Sequence, residues 1–218
     1  MDFIYNNDVT IPLGNIKLDG KLIIPVTANG IVIFSHGSGS SHLSPRNIMV
    51  AEYLHKQHFG TLLFDLLTPL EDQYYQNRFN IELLTDRLIG ATEWLEKQPF
   101  VKGHRLGYFG ASTGAASALH AAAYLTRLTA IVSRGGRPDL AMNVLEKIES
   151  PTLLIVGSLD FEVLELNRKA YMQLTCEKKL AVIPGATHLF EEKGKMEQVC
   201  EEAGLWFNKY LQPAVIEG

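Results

Sequence analysis

Cysteine is scarce: Cys176 and Cys200 are the only two in 218 residues. They form no C-x-x-C pair and have no ligand pattern near them, so both are read as reduced thiols in or near the core. No run of lysines or arginines occurs, and the formal net charge is -4, which argues against a nucleic-acid partner. No apolar run approaches a membrane span. The start, "MDFIYNNDVT", has neither the basic opening nor the apolar stretch of a signal peptide. These absences predict a cytoplasmic protein with no membrane or nucleic-acid partner. His55 and His58 close a helical stretch with no carboxylate pattern between them, and no H-E-x-x-H occurs, so no metal is expected. The Gly-Lys-Ser/Thr ending of a P-loop and the G-x-G-x-x-G fingerprint are missing as well. No cofactor is expected.

What is present is a soluble, globular composition, with 46% hydrophobic and 20% charged residues. The length suits one α/β domain over residues 1–218. Apolar runs alternate with amphipathic ones. "GKLIIPV" and "GIVIFSHG" read as a pair of strands, with no helix between them, that opens the sheet in antiparallel fashion. Helices are predicted over Pro45–His58, over "NIELLTDRLIGATEWLEKQ", and over Thr113–Leu125. "PDLAMNVLEKI" is read as a helix opened by Pro138, and further helices run through Leu174 and around Trp206 and Phe207. Strands are predicted at "GTLLFDLL", "RLGYFGA", "LTAIVSRGG", "PTLLIVGSLD" and "KKLAVIPGA". Nearly continuous apolar strands separated by helices imply a mostly parallel sheet covered on both faces. The irregular piece Thr68–Arg78 is expected to be a surface loop at the sheet's active edge, and the tail "LQPAVIEG" a surface extension.

One stretch carries chemistry. In "RLGYFGASTGAASALHAAA" an apolar strand runs into Gly110, then Ser112, then a helix beginning near Thr113. G-x-S-x-G alone is weak, but strand, sharp turn and helix together are the setting of a nucleophile elbow. A serine hydroxyl needs a base beside it. "TLLIVGSLD" ends in Asp160, and "LAVIPGATHLF" puts His188 in the loop after the last strand. Ser112, Asp160 and His188 therefore occur in the order, and at the strand ends, that a Ser-His-Asp triad on such a sheet requires. Thr113, at the start of a helix, offers a backbone N–H to a developing oxyanion.

These residues, with "IFSHGSGSSHLSPRN", "VSRGGRPDLA" and "IPGATHLFEE", give the chain its resemblance to the α/β-hydrolase superfamily, and within it to small lidless proteins related to dienelactone hydrolase. The resemblance covers nearly the whole chain. It implies an α/β-hydrolase fold with no separate cap domain, Ser112 as nucleophile, His188 as base and Asp160 as the residue that orients it. It also implies a second oxyanion donor just after the His-Gly of "FSHGSGSSH": Ser38, with Gly39 as the alternative. Dienelactone hydrolase itself carries a cysteine at the elbow, so its substrate does not carry over to a chain with serine there.

Other residues compete for roles. Asp139 also follows a strand and rivals Asp160 as the triad acid. Arg134 and Arg137 flank two glycines at the same sheet edge; they would bind a substrate carboxylate or, as the preferred reading, tie loops to acids such as Asp65 or Asp139. His36 is expected to be a structural hydrogen-bonding residue, and His120 lies too far along its helix to reach Ser112. The expected function is a serine hydrolase of small, short-chain carboxylic esters, with a small-molecule ester as partner. A catalytically weak binding or sensing protein, an interaction module, and a hydrolase of lactones, thioesters or peptides stand as alternatives. The sequence does not specify an oligomeric state.

Overall fold

Strand β3, Gly30–Ser35, is buried at every position, as a strand covered on both faces must be. In the computed structural model, which describes residues 1–212, it lies near the middle of one eight-stranded sheet. The other strands are β1 (Phe3–Leu13), β2 (Ile16–Pro25), β4 (Phe59–Phe64), β5 (Arg105–Ala111), β6 (Leu128–Arg134), β7 (Thr152–Gly157) and β8 (Lys178–Ile183). Their order is β1-β2-β4-β3-β5-β6-β7-β8. β1 and β2 are antiparallel, β2 runs antiparallel to β4, and every pairing from β4 to β8 is parallel. Among the described residues, five α-helices cover the sheet: α1 (Pro45–Lys56), α2 (Ile81–Glu96), α3 (Thr113–Ala122), α4 (Phe161–Gln173) and α5 (Lys195–Tyr210).

Two apolar layers result. Leu84 and Leu88 of α2, Ala118 of α3 and Ala170 of α4 pack with Ile31, Ile33, Tyr108 and Ile131 on one face. Val50 and Leu54 of α1, with Val199 and Phe207 of α5, pack with Val32, Phe34, Phe109 and Val132 on the other. The odd–even split within β3 and within β5 and β6 follows from the two-residue period of a strand. The chain leaves β3 through α1 to β4 and returns through α2 to β5. This makes the carboxyl ends of β3 and β5 the point where strand order reverses, the usual ligand crevice of such sheets.

The α/β-hydrolase architecture agrees with expectation, but several local readings change. "GKLIIPV" and "GIVIFSHG" are not partners, because β4 lies between them. The antiparallel start is made by β2 with β1, a strand not anticipated. β1 buries Val9 and Ile11 and exposes Thr10 between them and Asn6–Asp8 before them, and its "NND" masks the strand pattern. A signal was available in Gly14-Asn15, a two-residue turn with φ 59° at Gly14, between the paired Leu13 and Ile16. Pro138–Lys147 forms a 3-10 segment, not an α-helix. α3 stops at Ala122, short of Leu125. Thr68–Arg78 carries short 3-10 turns that overlap it, Glu71–Gln73 and Tyr75–Phe79. Cys200 is buried and Cys176 half-buried, both free. From residue 213 on, the tail lies outside the described residues. No helix among the described residues is long and apolar enough to cross a membrane.

His55 is buried between α1 and β4, with its Nε2 and the Thr61 hydroxyl 2.8 Å apart. Burial lowers its pKa from 6.5 to about 4, so the fold favours the neutral ring. Its contribution to stability is complete above the ordinary pKa and is lost as pH falls toward the folded value, up to about 3 kcal/mol in all. Urea titrations between neutral pH and pH 4 are expected to show this loss in the wild type and a smaller one in His55→Gln, which keeps a hydrogen-bonding group toward Thr61. Equal losses in both proteins would contradict the assignment.

Candidate active site

Ser112 sits between β5 and α3 with φ 52° and ψ -121°, a left-handed conformation that costs a non-glycine residue about 1–3 kcal/mol. Its own backbone holds it there. The Ser112 N–H donates to the Arg134 carbonyl (3.2 Å), and its carbonyl accepts from Ala115 N–H (3.1 Å) and Arg137 N–H (3.1 Å). Glycines supply the space. A Cβ at Gly110 would stand 2.4 Å from the Ala115 Cα, and one at Gly114 only 2.1 Å from the Ser35 carbonyl oxygen. A Cβ at Gly37 would meet the Ser112 Cβ at 3.1 Å. Strand, turn, helix and the loop after β3 thus approach one another backbone to backbone, and the Ser112 side chain projects into a crevice.

Asp160 and His188 come together in that crevice. His188 Nδ1–H donates to Asp160 Oδ2 at 2.6 Å, and Asp160 is largely covered. This leaves Nε2 with its lone pair directed away from the acid. Asp160 occupies the N-cap position of α4, yet its side chain makes no capping bond. The carboxylate serves the histidine instead. Ser112, Asp160, His188, Arg137 and Glu162 line one cleft of about 250 Å³. No hydrogen bond joins the Ser112 hydroxyl to His188 among the described residues; nucleophile–base contacts are often long before substrate binds.

The loops after β7 and β8 are laced together. Leu159 N–H donates to the Ala186 carbonyl (2.9 Å), Ser158 N–H to that of Ile183 (2.9 Å), and Gly185 N–H to the Ser158 hydroxyl (2.7 Å). Gly157 permits this, since a Cβ there would lie 2.3 Å from the Ala186 oxygen. The His188 loop closes on Glu192, which accepts from the Thr187 N–H and hydroxyl. Phe190, fully buried with φ 57°, anchors it to the core.

The loop after β3 is equally fixed. His36 Nδ1–H donates to the Gly37 carbonyl and Nε2 accepts from Leu66 N–H, both at 3.0 Å. Burial lowers its pKa, so it is a neutral structural residue, as expected. Asp65 accepts from His42 N–H at 2.7 Å and pairs with the His42 ring. Ser38, Gly39 and Thr113 line a narrow recess with Arg78 and Asp72. Neither Ser38 nor Gly39 has its N–H bonded to a backbone carbonyl among the described residues, so both stay available as donors.

The competing readings are now separable. Asp139 is clamped by Arg137, Nε to Oδ1 at 2.8 Å and Nη2 to Oδ2 at 2.7 Å, whereas Asp160 holds the histidine. Arg137 lines the cleft, but Arg134 does not share its position. On β6 it points to the face covered by α1 and α5, 93% buried, with its guanidinium 5.9 Å from the Phe190 ring centre. It ties no loop to Asp65. Sequence reasoning missed the pair Asp72–Arg78, both from the irregular segment after β4. Among the described residues no cluster of three or more His, Cys, Asp or Glu is placed to hold a metal.

A sheet of this order, with a strained serine after β5 and an acid–histidine pair after β7 and β8, defines the α/β hydrolases. The chain belongs to the dienelactone hydrolase family, whose family model matches residues 19–211. It is similar to the dienelactone hydrolase of Anabaena variabilis, with 48% identity and a TM-score of 0.92 over 95% of this chain and 99% of that one. An esterase of Pyrococcus furiosus superposes with a TM-score of 0.81 at 20% identity, over 95% of this chain and 92% of that one. Est1E of Butyrivibrio proteoclasticus does so with 0.80 at 18%, over 93% and 98%. At these identities the likeness is one of fold. Proteins from two strains of Mycobacterium tuberculosis, each named "Putative phosphoribosyl transferase", are 51% identical over 207 residues, which is 94% of this chain and 47% of theirs. The chain thus spans about half the length of these curated relatives.

Because Gly110 and Gly114 carry the close approach at the elbow, Gly110→Ala and Gly114→Ala are each expected to lower stability by about 3 kcal/mol in urea unfolding. A change below about 1 kcal/mol would mean the backbone there has room that the contacts deny.

Proposed function

We propose that this protein is a serine hydrolase that cleaves small, short-chain carboxylic esters through an acyl-enzyme. The observation that carries the reading is the Asp160–His188 bond, made in place of a helix cap, in the cleft that also holds the strained Ser112. In this scheme His188 Nε2 takes the Ser112 proton as Oγ attacks the acyl carbon. Asp160 fixes the tautomer that leaves Nε2 free and stabilises the imidazolium that forms. The oxyanion is met by Thr113 N–H, at the positive end of α3, and by Ser38 N–H or its alternative Gly39. His188 returns the proton to the leaving alcohol. It then draws one from water, which attacks the acyl-enzyme, and passes it to Ser112 Oγ as the acyl–oxygen bond breaks and the acid leaves.

The family membership supports hydrolysis as the class of reaction. The transferase name belongs to relatives of which this chain covers 47%, and the serine, histidine and aspartate of the cleft favour a hydrolase for the part they share. The modest size of the cleft favours short acyl groups.

Ser112→Ala is expected to abolish hydrolysis of para-nitrophenyl acetate and butyrate while leaving the melting curve in place. Asp160→Asn, whose side chain caps no helix, is expected to lower kcat about 10³–10⁴-fold without unfolding the protein. Rates should fall as the acyl chain lengthens. A folded, active Ser112→Ala variant would sink the proposal, and rates that rise toward long chains would sink the preference.

A further inference from the structure

Two arginines line the openings onto which Ser112 and its neighbour Thr113 face. Arg137 lines the cleft beside His188 and Glu162, and Arg78 lines the recess beside Ser38, Gly39 and Thr113. An arginine in a hydrolase cleft would ordinarily suggest a carboxylate-bearing substrate, since its fork matches a carboxylate bidentately. Here each guanidinium already holds a carboxylate on its Nε–Nη2 edge. Arg137 gives Nε and Nη2 to the two oxygens of Asp139, at 2.8 and 2.7 Å. Arg78 gives Nε and Nη2 to those of Asp72, both at 2.8 Å, and Nη2 also to the Asp72 carbonyl at 3.0 Å. Each keeps Nη1 without a hydrogen-bond partner among the described residues, and a Cβ at Gly39 would stand 3.5 Å from that of Arg78.

The charge balance points the same way. Asp139 cancels Arg137 and Asp72 cancels Arg78, while the carboxylates of Asp160 and Glu162 stand in the same cleft as Ser112. Glu162, in the first turn of α4, forms no ion pair among the described residues. Arg134, which has no carboxylate partner among the described residues, is buried against Phe190 and does not line the cleft.

We propose that the cleft selects uncharged esters: Asp139 compensates the charge of Arg137, as Asp72 does that of Arg78 in the neighbouring recess, while the carboxylates of Asp160 and Glu162 stand in the cleft itself. An anionic group entering beside Ser112 meets more carboxylates than free guanidinium edges and is repelled. This rests on the ester-hydrolase reading and adds the substrate's charge to it. The carboxylates act on specificity, not on the chemical step.

Two matched pairs of esters test it on the full chain. One is para-nitrophenyl methyl adipate against mono-para-nitrophenyl adipate, which place the charge on the acyl side. The other is para-methoxycarbonylphenyl acetate against para-carboxyphenyl acetate, which place it on the leaving group. The wild type is expected to favour the neutral member of at least one pair about tenfold in kcat/KM, with the ratio shrinking at high salt as repulsion is screened. Asp139→Asn or Asp72→Asn, by leaving its arginine's charge uncompensated, should narrow that ratio mainly through KM. If either variant fails to fold, the salt dependence of the wild-type ratio decides. Equal or better cleavage of both anionic esters overturns the proposal, as does a preference that neither salt nor either folded variant alters. Cleavage of none of the four esters, by a protein whose Ser112 also fails to react with a fluorophosphonate, overturns the hydrolase reading instead.

Discussion

The backbone at Ser112 is the constraint on which the rest depends. A serine at φ 52° would relax if the chain around it could move, and it is held because three neighbouring segments leave it no space to do so. Gly110 and Gly114 bring β5, α3 and the loop after β3 within distances that any side chain would forbid, and Gly37 sits tightly against Ser112. The hydrogen bonds to Arg134, Ala115 and Arg137 then fix both the N–H and the carbonyl of Ser112. Strain of this kind persists only where surrounding structure over-determines it. What it achieves is the presentation of a hydroxyl next to the N-terminus of a helix, where the N–H groups of the first turn have no intrahelical partner.

The remaining features serve that presentation. The reversal of strand order at β3 and β5 opens a crevice at their carboxyl ends. Each wall is built from a loop tied down by its own polar contacts: His36 and Asp65 on one side, the laced β7 and β8 loops and Glu192 on the other. Most charge around the crevice is paired, with Asp160 on His188, Asp139 on Arg137 and Asp72 on Arg78, and Glu162 alone among the cleft's carboxylates has no ion-pair partner among the described residues. Of the pairs, only the first leaves a basic ring nitrogen, on a histidine that lines the same cleft as Ser112.

Much of this was legible in the sequence, for a definite reason. Ser112, Asp160 and His188 each directly follow an apolar strand or lie a few residues beyond one, so a correct strand assignment already brings them to one edge of a parallel sheet. The interior strands were readable because burial on both faces leaves them almost without polar residues. β1 was not, since an edge strand of a two-sided hairpin mixes Asn and Asp with its few buried positions. Arg134 and Arg137 looked equivalent as letters. Strand alternation decided that one would be buried under Phe190, and the turn after β6 that the other would face the cleft. Asp72 and Arg78 come from an irregular segment with no periodicity, and their pairing depends on contacts that only the folded loop makes.

The central claim, that this geometry activates Ser112, is tested most directly without choosing a substrate. Intact mass after exposure to a fluorophosphonate, followed by peptide mapping and with Ser112→Ala as control, reads the nucleophile itself. The account predicts a single adduct on Ser112 that the variant lacks. A folded wild-type protein that acquires no adduct, or acquires it elsewhere, would contradict it.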